Sequence, residues 1–189
     1  MALDTPINRQ QLINIFPDLA GDANFKILSD CNPVYNCIAW AMGYDDRWVD
    51  PSNANVPWLW WPLGAERSYT SEALISAFKA EGFELSDNST PEEGYSKVVL
   101  YKNPNTGNWT HAARIITDDI EYSKFGRAWD GQHSHNVLCN TAKGKEDSSY
   151  GIAYAYMKKK ETTISSSPVK GNMTVDLNNL TKLKAILRK

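Results

Sequence analysis

The order in which hydrophobic patterns change along the chain is the strongest constraint on its fold. Before about residue 82 the apolar residues recur at helical spacing, and from about residue 97 they fall into short strand-like runs. Leu12, Ile15 and Phe16 share a helical face over 8–15 and stop at Pro17, and residues 36–42 form a short helix ended by Gly43. Thr70 or Ser71 caps a helix whose apolar face is Ala73, Leu74, Ala77 and Phe78, with Gly82 as its stop signal. A loop rich in Pro, Asn and Trp fills 44–67 between these helices. Later, K-V-V-L-Y-K (97–102) and W-T-H-A-A-R-I-I-T (109–117) flank N-P-N-T-G-N, a turn-rich hairpin connection. Asp118 and Asp119 turn the chain into I-E-Y-S-K-F-G, and Y-G-I-A-Y-A-Y-M-K alternates as a fourth strand. Helices first and strands afterwards predict an α+β domain, with N-terminal helices packed on an antiparallel sheet of about four or more strands.

A length of 189 residues suits one such domain, assigned to 1–161, with a short appendage. Ser, Pro and Gly mark 162–175 as a linker. Beyond it, 176–189 reads as an amphipathic basic helix: Asp176 caps it, Leu177, Leu180, Leu183 and Leu187 form a stripe, and Lys182, Lys184, Arg188 and Lys189 surround it. Docking on its own domain and docking on a protein partner both suit that helix. The net charge of −2 and the lack of a basic stripe among the aromatics speak against a nucleic-acid partner. No segment has the ~20 apolar residues of a membrane span. The first residues lack a basic region and a continuous apolar run, so no cleaved signal peptide is read and the cytoplasm is the default compartment. Export by a route that reads no such signal leaves the same sequence.

Chemistry points first to Cys37. In Y-N-C-I-A-W-A-M-G (35–43) the thiol falls at the first turn of a helix, where N–H groups and about half a positive charge favour a thiolate and a developing oxyanion. The three cysteines are an odd number without C-x-x-C spacing, which disfavours a disulfide framework and a zinc site. Oxidation pairing Cys31 with Cys37 would mask the nucleophile. His111, one of three histidines, lies on a later strand. A thiol on a helix start and an imidazole on a later strand form the layout of a papain-like cysteine hydrolase. Each residue also has a plainer explanation: free cysteine is often a small buried hydrophobe, and a strand histidine is often a satisfied core residue.

The succession Y-N-C-I-A-W-A-M-G, W-W-P (60–62), E-G-F, V-L-Y, T-H-A-A-R, S-K-F-G, a following His133 and Y-G-I resembles a widespread bacterial domain family with papain-like members. The resemblance covers about 30–158, and is more distantly similar to the cysteine, histidine-dependent amidohydrolases and peptidases. It implies that Cys37 attacks a carbonyl or amide carbon while His111 moves the proton. Three residues compete to orient the imidazole: Ser123 on the strand after the histidine strand, and Asp130 and His133 in the polar loop G-R-A-W-D-G-Q-H-S-H-N, should it fold back over the site. Of the two later histidines, His133 fits the family pattern better than His135. Asn36 caps the helix and stands where an oxyanion hole forms. Trp58, Trp60 and Trp61, in a loop without helical or strand period, are cleft-wall candidates, with core plugging expected for at least one. Arg114 and Lys124 join the expected cleft, Lys124 on the resemblance alone.

Two classes of function follow. One is a cysteine amidase or peptidase acting on cell-wall peptide or a target protein, with acyl transfer to an amine as the same chemistry. The other is a papain-fold module without turnover that binds a partner. Neither a cofactor nor a metal is expected: H-x-H with one carboxylate lacks a third strong ligand. An activated Cys37 is expected to alkylate faster than Cys31 and Cys139.

Overall fold

The computed structural model describes residues 3–139 and 149–161. The linker and basic helix expected over 162–189 lie outside the described residues. Helix α1 (Pro6–Ile15) starts at Thr5, whose Oγ1 accepts the Asn8 N–H at 3.1 Å, and a 3-10 turn (Pro17–Gly21) follows. Next come β1 (Lys26–Ile27), α2 (Cys37–Met42), β2 (Trp48–Val49) and β3 (Leu59–Trp60). Helix α3 (Ser71–Ala80) is capped by Thr70, whose Oγ1 accepts the Ala73 N–H, and ends where Gly82 takes a φ of 84°. The remaining strands are β4 (Glu84–Ser86), β5 (Tyr95–Lys102), β6 (Trp109–Ile115), β7 (Ile120–Lys124), β8 (Asp130–Ser134) and β9 (Ile152–Lys160).

The architecture is α+β, with a seven-stranded sheet in the order β1-β8-β7-β6-β5-β9-β4 and antiparallel pairing throughout. Two segments differ from the sequence expectation. The 44–67 loop contains a separate parallel pair, β2 with β3. The stretch around Asp130 and His133 is a strand, β8, rather than a loop: it pairs with β1 on one side and β7 on the other.

Strand alternation divides the sheet into two faces. Val98, Leu100, Ala112 and Met157 pack against α2 and α3 through Ile38, Leu74 and Phe78. The intervening residues Val99, Tyr101, Ala113 and Ile115 meet Tyr150 and Tyr156 on the other face. There Leu12 and Leu19, from α1 and the turn after it, pack with Phe25, Phe125 and Leu138. Strands β6 and β7 pair at Arg114–Tyr122 and Ile115–Glu121 and part beyond, while β7 stays paired with β8 to Lys124–Asp130. The site residues gather around this parting. No helix among the described residues is long and apolar enough to cross a membrane.

Candidate active site

Cys37 is the first residue of α2, and Asn36 fixes it there. Asn36 Oδ1 accepts the N–H groups of Ala39 at 3.0 Å and Val49 at 3.3 Å, and its Nδ2 donates to the Val49 carbonyl at 2.8 Å. Asn36 thus clamps α2 to β2, with one of its two Nδ2–H donors spent on the Val49 carbonyl. The Cys37 side chain sits in the core on the α2 face, the residue being 9% exposed. Burial pushes its thiol up to about 11, although the N–H groups of Ala112, Ile38 and Cys37 itself and the Lys124 ammonium all favour the thiolate. The helix start therefore does not make this thiol ionise easily at rest, contrary to the sequence expectation, because desolvation outweighs the local dipoles. All three cysteines are free thiols, Cys31 exposed and Cys37 buried.

His111, Ser123 and His133 meet on the opposite face in one line of hydrogen bonds. His111 Nε2 lies 2.9 Å from Ser123 Oγ, Ser123 Oγ lies 2.7 Å from His133 Nε2, and His133 Nδ1 lies 2.9 Å from the Ser134 carbonyl. Burial lowers the pKa of both imidazoles, that of His111 well below its ordinary value with His133 adding to the effect, so both are neutral near pH 7. The proton positions then follow from one fixed end. A carbonyl only accepts, so His133 carries its proton on Nδ1 and accepts on Nε2. The Ser123 hydroxyl donates to that Nε2 and accepts from His111 Nε2–H. His111 Nδ1 is left as a bare lone pair, and it has no hydrogen-bond partner among the described residues. The Tyr150 ring covers the His111 ring face to face at 3.7 Å. Gly151 follows Tyr150 at a φ of 86°, and the Lys102 carbonyl oxygen lies 2.1 Å from where a Cβ would stand.

Cys37 and His111 approach β6 from different sides. The sulfur meets the strand at the N–H of Ala112, on the α2 face, whereas the His111 ring lies with Tyr101 and Tyr150 on the other. They are neighbours across one strand position, where β6 and β7 part, and no hydrogen bond joins them.

Of the expected orienting residues, Ser123 contacts His111 directly and His133 stands behind it. Asp130 does not join them, because β8 alternation turns it to the α2 face. Its Oδ2 accepts from the Tyr35 hydroxyl at 2.8 Å, and its Oδ1 is buried without a partner. Burial raises its carboxyl above the ordinary range, despite the Tyr35 hydrogen bond and the nearby Lys124 and Arg114. Lys124 is fully buried and donates to the carbonyls of Gly126 at 2.9 Å and Ala128 at 2.6 Å, with its ammonium 5.0 Å from the Tyr35 ring centre. Arg114 Nε donates to the Trp40 carbonyl at 2.8 Å and its guanidinium covers the Trp40 ring at 4.0 Å. Lys124 and Arg114 thus brace the strands against α2 and its flanks; they do not line the tryptophan cleft expected of them.

The tryptophans separate in the same way. Trp61 is 4% exposed, donates to the Glu66 carbonyl at 3.0 Å and stacks on Trp109, so it is core. Trp58, 61% exposed, and half-buried Trp60 line a cavity of about 630 Å³ with Trp48, Arg47 and Arg127. Sequence reasoning missed Tyr35 and Tyr150. Both stood in quoted motifs, Y-N-C and Y-G-I, but their aromatic character alone gave no role.

Among the described residues no group of three or more His, Cys, Asp and Glu side chains is arranged to hold a metal ion. His135 instead pairs through Nδ1 with the buried carboxylate of Glu121, which also accepts from the Tyr101 hydroxyl. No curated protein and no solved structure matches the chain. A family model described as Domain of unknown function (DUF7689) matches residues 26–158, which is more than half the chain and includes Cys37, His111, Ser123, Asp130 and His133. The chain belongs to that family.

Proposed function

We propose that the protein is a cysteine-dependent amidohydrolase or peptidase of papain-like type. One observation supports this reading: the line from His111 through Ser123 and His133 to the Ser134 carbonyl leaves the basic lone pair of His111 on Nδ1 without a partner, and the Cys37 sulfur meets the N–H of the next residue, Ala112. A base held in one tautomer by a partner on its far nitrogen is what thiol activation needs.

His111 Nδ1 takes the Cys37 proton as the sulfur adds to the amide carbon, and the carbonyl π electrons move to oxygen. When the oxygen lone pair reforms the C=O bond, the C–N bond breaks and its electron pair takes the proton from His111 Nδ1–H. An amine leaves and a thioester remains on Cys37. Water, deprotonated by His111, releases the acid and restores the thiol; an amine in place of water gives acyl transfer. Throughout, Ser123 and His133 accept along the line from His111 Nε2–H and stabilise the imidazolium while it exists.

The resting site holds a protonated thiol and a neutral imidazole, so substrate must draw the two groups together at the β6–β7 parting. The test uses a peptidyl vinyl sulfone with mass spectrometric mapping of the adduct. Cys37 is expected to be the labelled residue in wild type, with a rate roughly 100-fold lower in His111→Ala. Labelling of Cys37 that is indifferent to His111 would sink the proposal. It would leave the second reading, a papain-fold binding module, which the burial of Cys37 and the stacking of Tyr150 on His111 favour.

A further inference from the structure

The cavity walled by Trp48, Trp58 and Trp60 takes no part in the steps above, yet the segments that build it also hold the nucleophile. Pro33 and Val34, on its edge, run directly into Tyr35, Asn36 and Cys37. Trp48 precedes Val49, the residue that Asn36 clamps. Arg127 lies between Gly126 and Ala128, whose carbonyls receive the Lys124 ammonium. The cavity therefore opens beside the start of α2.

Its charges are unequal. Arg47 is matched by Asp46 through two bonds, at 2.7 and 3.0 Å, and is held over the rings of Tyr44 at 4.0 Å and Trp60 at 4.9 Å. Arg127 stacks over Trp48 at 5.0 Å and has no carboxylate partner among the described residues. One matched guanidinium and one spare guanidinium give the lining a surplus of one positive charge. Indole walls offer flat surfaces on which peptide planes stack.

We infer that this cavity is a subsite for an acidic residue of an extended peptide, with the Arg127 guanidinium as partner of its carboxylate. The peptide character of the ligand rests on the amide chemistry proposed above; the demand for an anion rests on the cavity itself. A single spare guanidinium presents a planar fork that matches one carboxylate. A phosphate, with up to two charges, would leave part of its charge unmatched. A basic side chain would meet like charge.

Binding is measured on the full chain carrying Cys37→Ala, so that no turnover intervenes. The probes are fluorescein-labelled hexapeptides that differ at one central position: glutamate, glutamine, lysine or phosphoserine. Glutamate is expected to bind about tenfold more tightly than glutamine, and lysine most weakly. Arg127→Gln, an exposed change, should erase the glutamate preference without altering the melting temperature. Trp58→Ala should weaken glutamate and glutamine peptides alike. Equal binding of glutamate and glutamine, a preference that survives Arg127→Gln, tighter binding of phosphoserine than glutamate, or no binding of any probe would each overturn the assignment. The readout does not depend on catalysis. A retained glutamate preference in a protein whose Cys37 proves unreactive would support the subsite and remove the hydrolase reading.

Discussion

Two polar clusters on opposite faces of the sheet, the His111 line and the group around Lys124, are buried by opposite means. On the His111 face, neutral groups are joined donor to acceptor from His111 to the Ser134 carbonyl, and Nδ1 of His111 is the one atom of that line left over. On the Cys37 face, charged groups are gathered instead: Lys124, Arg114 and Asp130 lie around Tyr35 and α2, and Asp130 Oδ1 has no partner. A satisfied neutral line costs little to bury, whereas buried ions carry desolvation penalties that their pairing only partly offsets. Donor–acceptor direction is therefore fixed in the one cluster and charge is concentrated in the other, which shares its face with the thiol.

The largest effect is expected on the charged face. Lys124→Ala should destabilise the fold by about 3–5 kcal/mol in chemical denaturation, since it empties a fully buried site and strands the Gly126 and Ala128 carbonyls. A loss below about 1 kcal/mol would show that the ammonium is worth no more than its carbonyl hydrogen bonds. On the neutral face, Ser123→Ala removes the central hydroxyl and strands one donor and one acceptor, which should cost about 2–3 kcal/mol and abolish His111-dependent labelling of Cys37. Retained labelling would mean that tautomer control is not what Ser123 supplies. Asn36→Ala, at the junction of α2 and β2, should cost about 1–2 kcal/mol from the lost cap and clamp.

Titration sharpens the comparison by the smallest margin. His111 and His133 have depressed pKa values in the fold, so the unfolded chain binds protons first. Their contribution is full above about pH 6.5 and is lost as the pH falls from there toward their folded pKa values. His135 runs the other way. The hydrogen bond to Glu121 raises its pKa, so its stabilisation is full below about pH 6.5 and is lost as the pH rises through the folded value. Melting temperature should fall between about pH 6.5 and 5 in both wild type and His135→Gln, and His135→Gln should remove the separate loss of stability as the pH rises above about 6.5. A flat profile in both proteins would count against burial of neutral His111 and His133.

Much of the scaffold was legible because its signals were local. The Asn36 cap, the Thr70 cap, Gly82 and the hairpin between β5 and β6 each depend on a few neighbouring residues, and each stands where the pattern put it. Strand β8 was not legible. Its sequence, D-G-Q-H-S, has no β-branched or bulky apolar residue, and its buried side chains, Asp130 and His133, are polar groups held by partners on other elements, Tyr35 and Ser123. The same reason hid the roles of Asp130 and Lys124, which are decided by alternation within strands whose register the sequence does not state. Ser123 was named among the orienting candidates from its strand position, but its place between two histidines needed β8 to be a strand. The thiol was misjudged in one respect, because helix position is written in the sequence and desolvation is not.

Gly151 carries no functional group, and yet the dryness of His111 depends on it. With the Lys102 carbonyl 2.1 Å from the place of a Cβ, any side chain there would have to displace backbone, and Tyr150 is the neighbouring residue that would move. A saturation mutagenesis library should find Gly151 among the positions least able to vary, through a hydrogen atom that only glycine leaves in place of a carbon. Inheritance of this site would then be guarded by an omission as strictly as by any reactive atom.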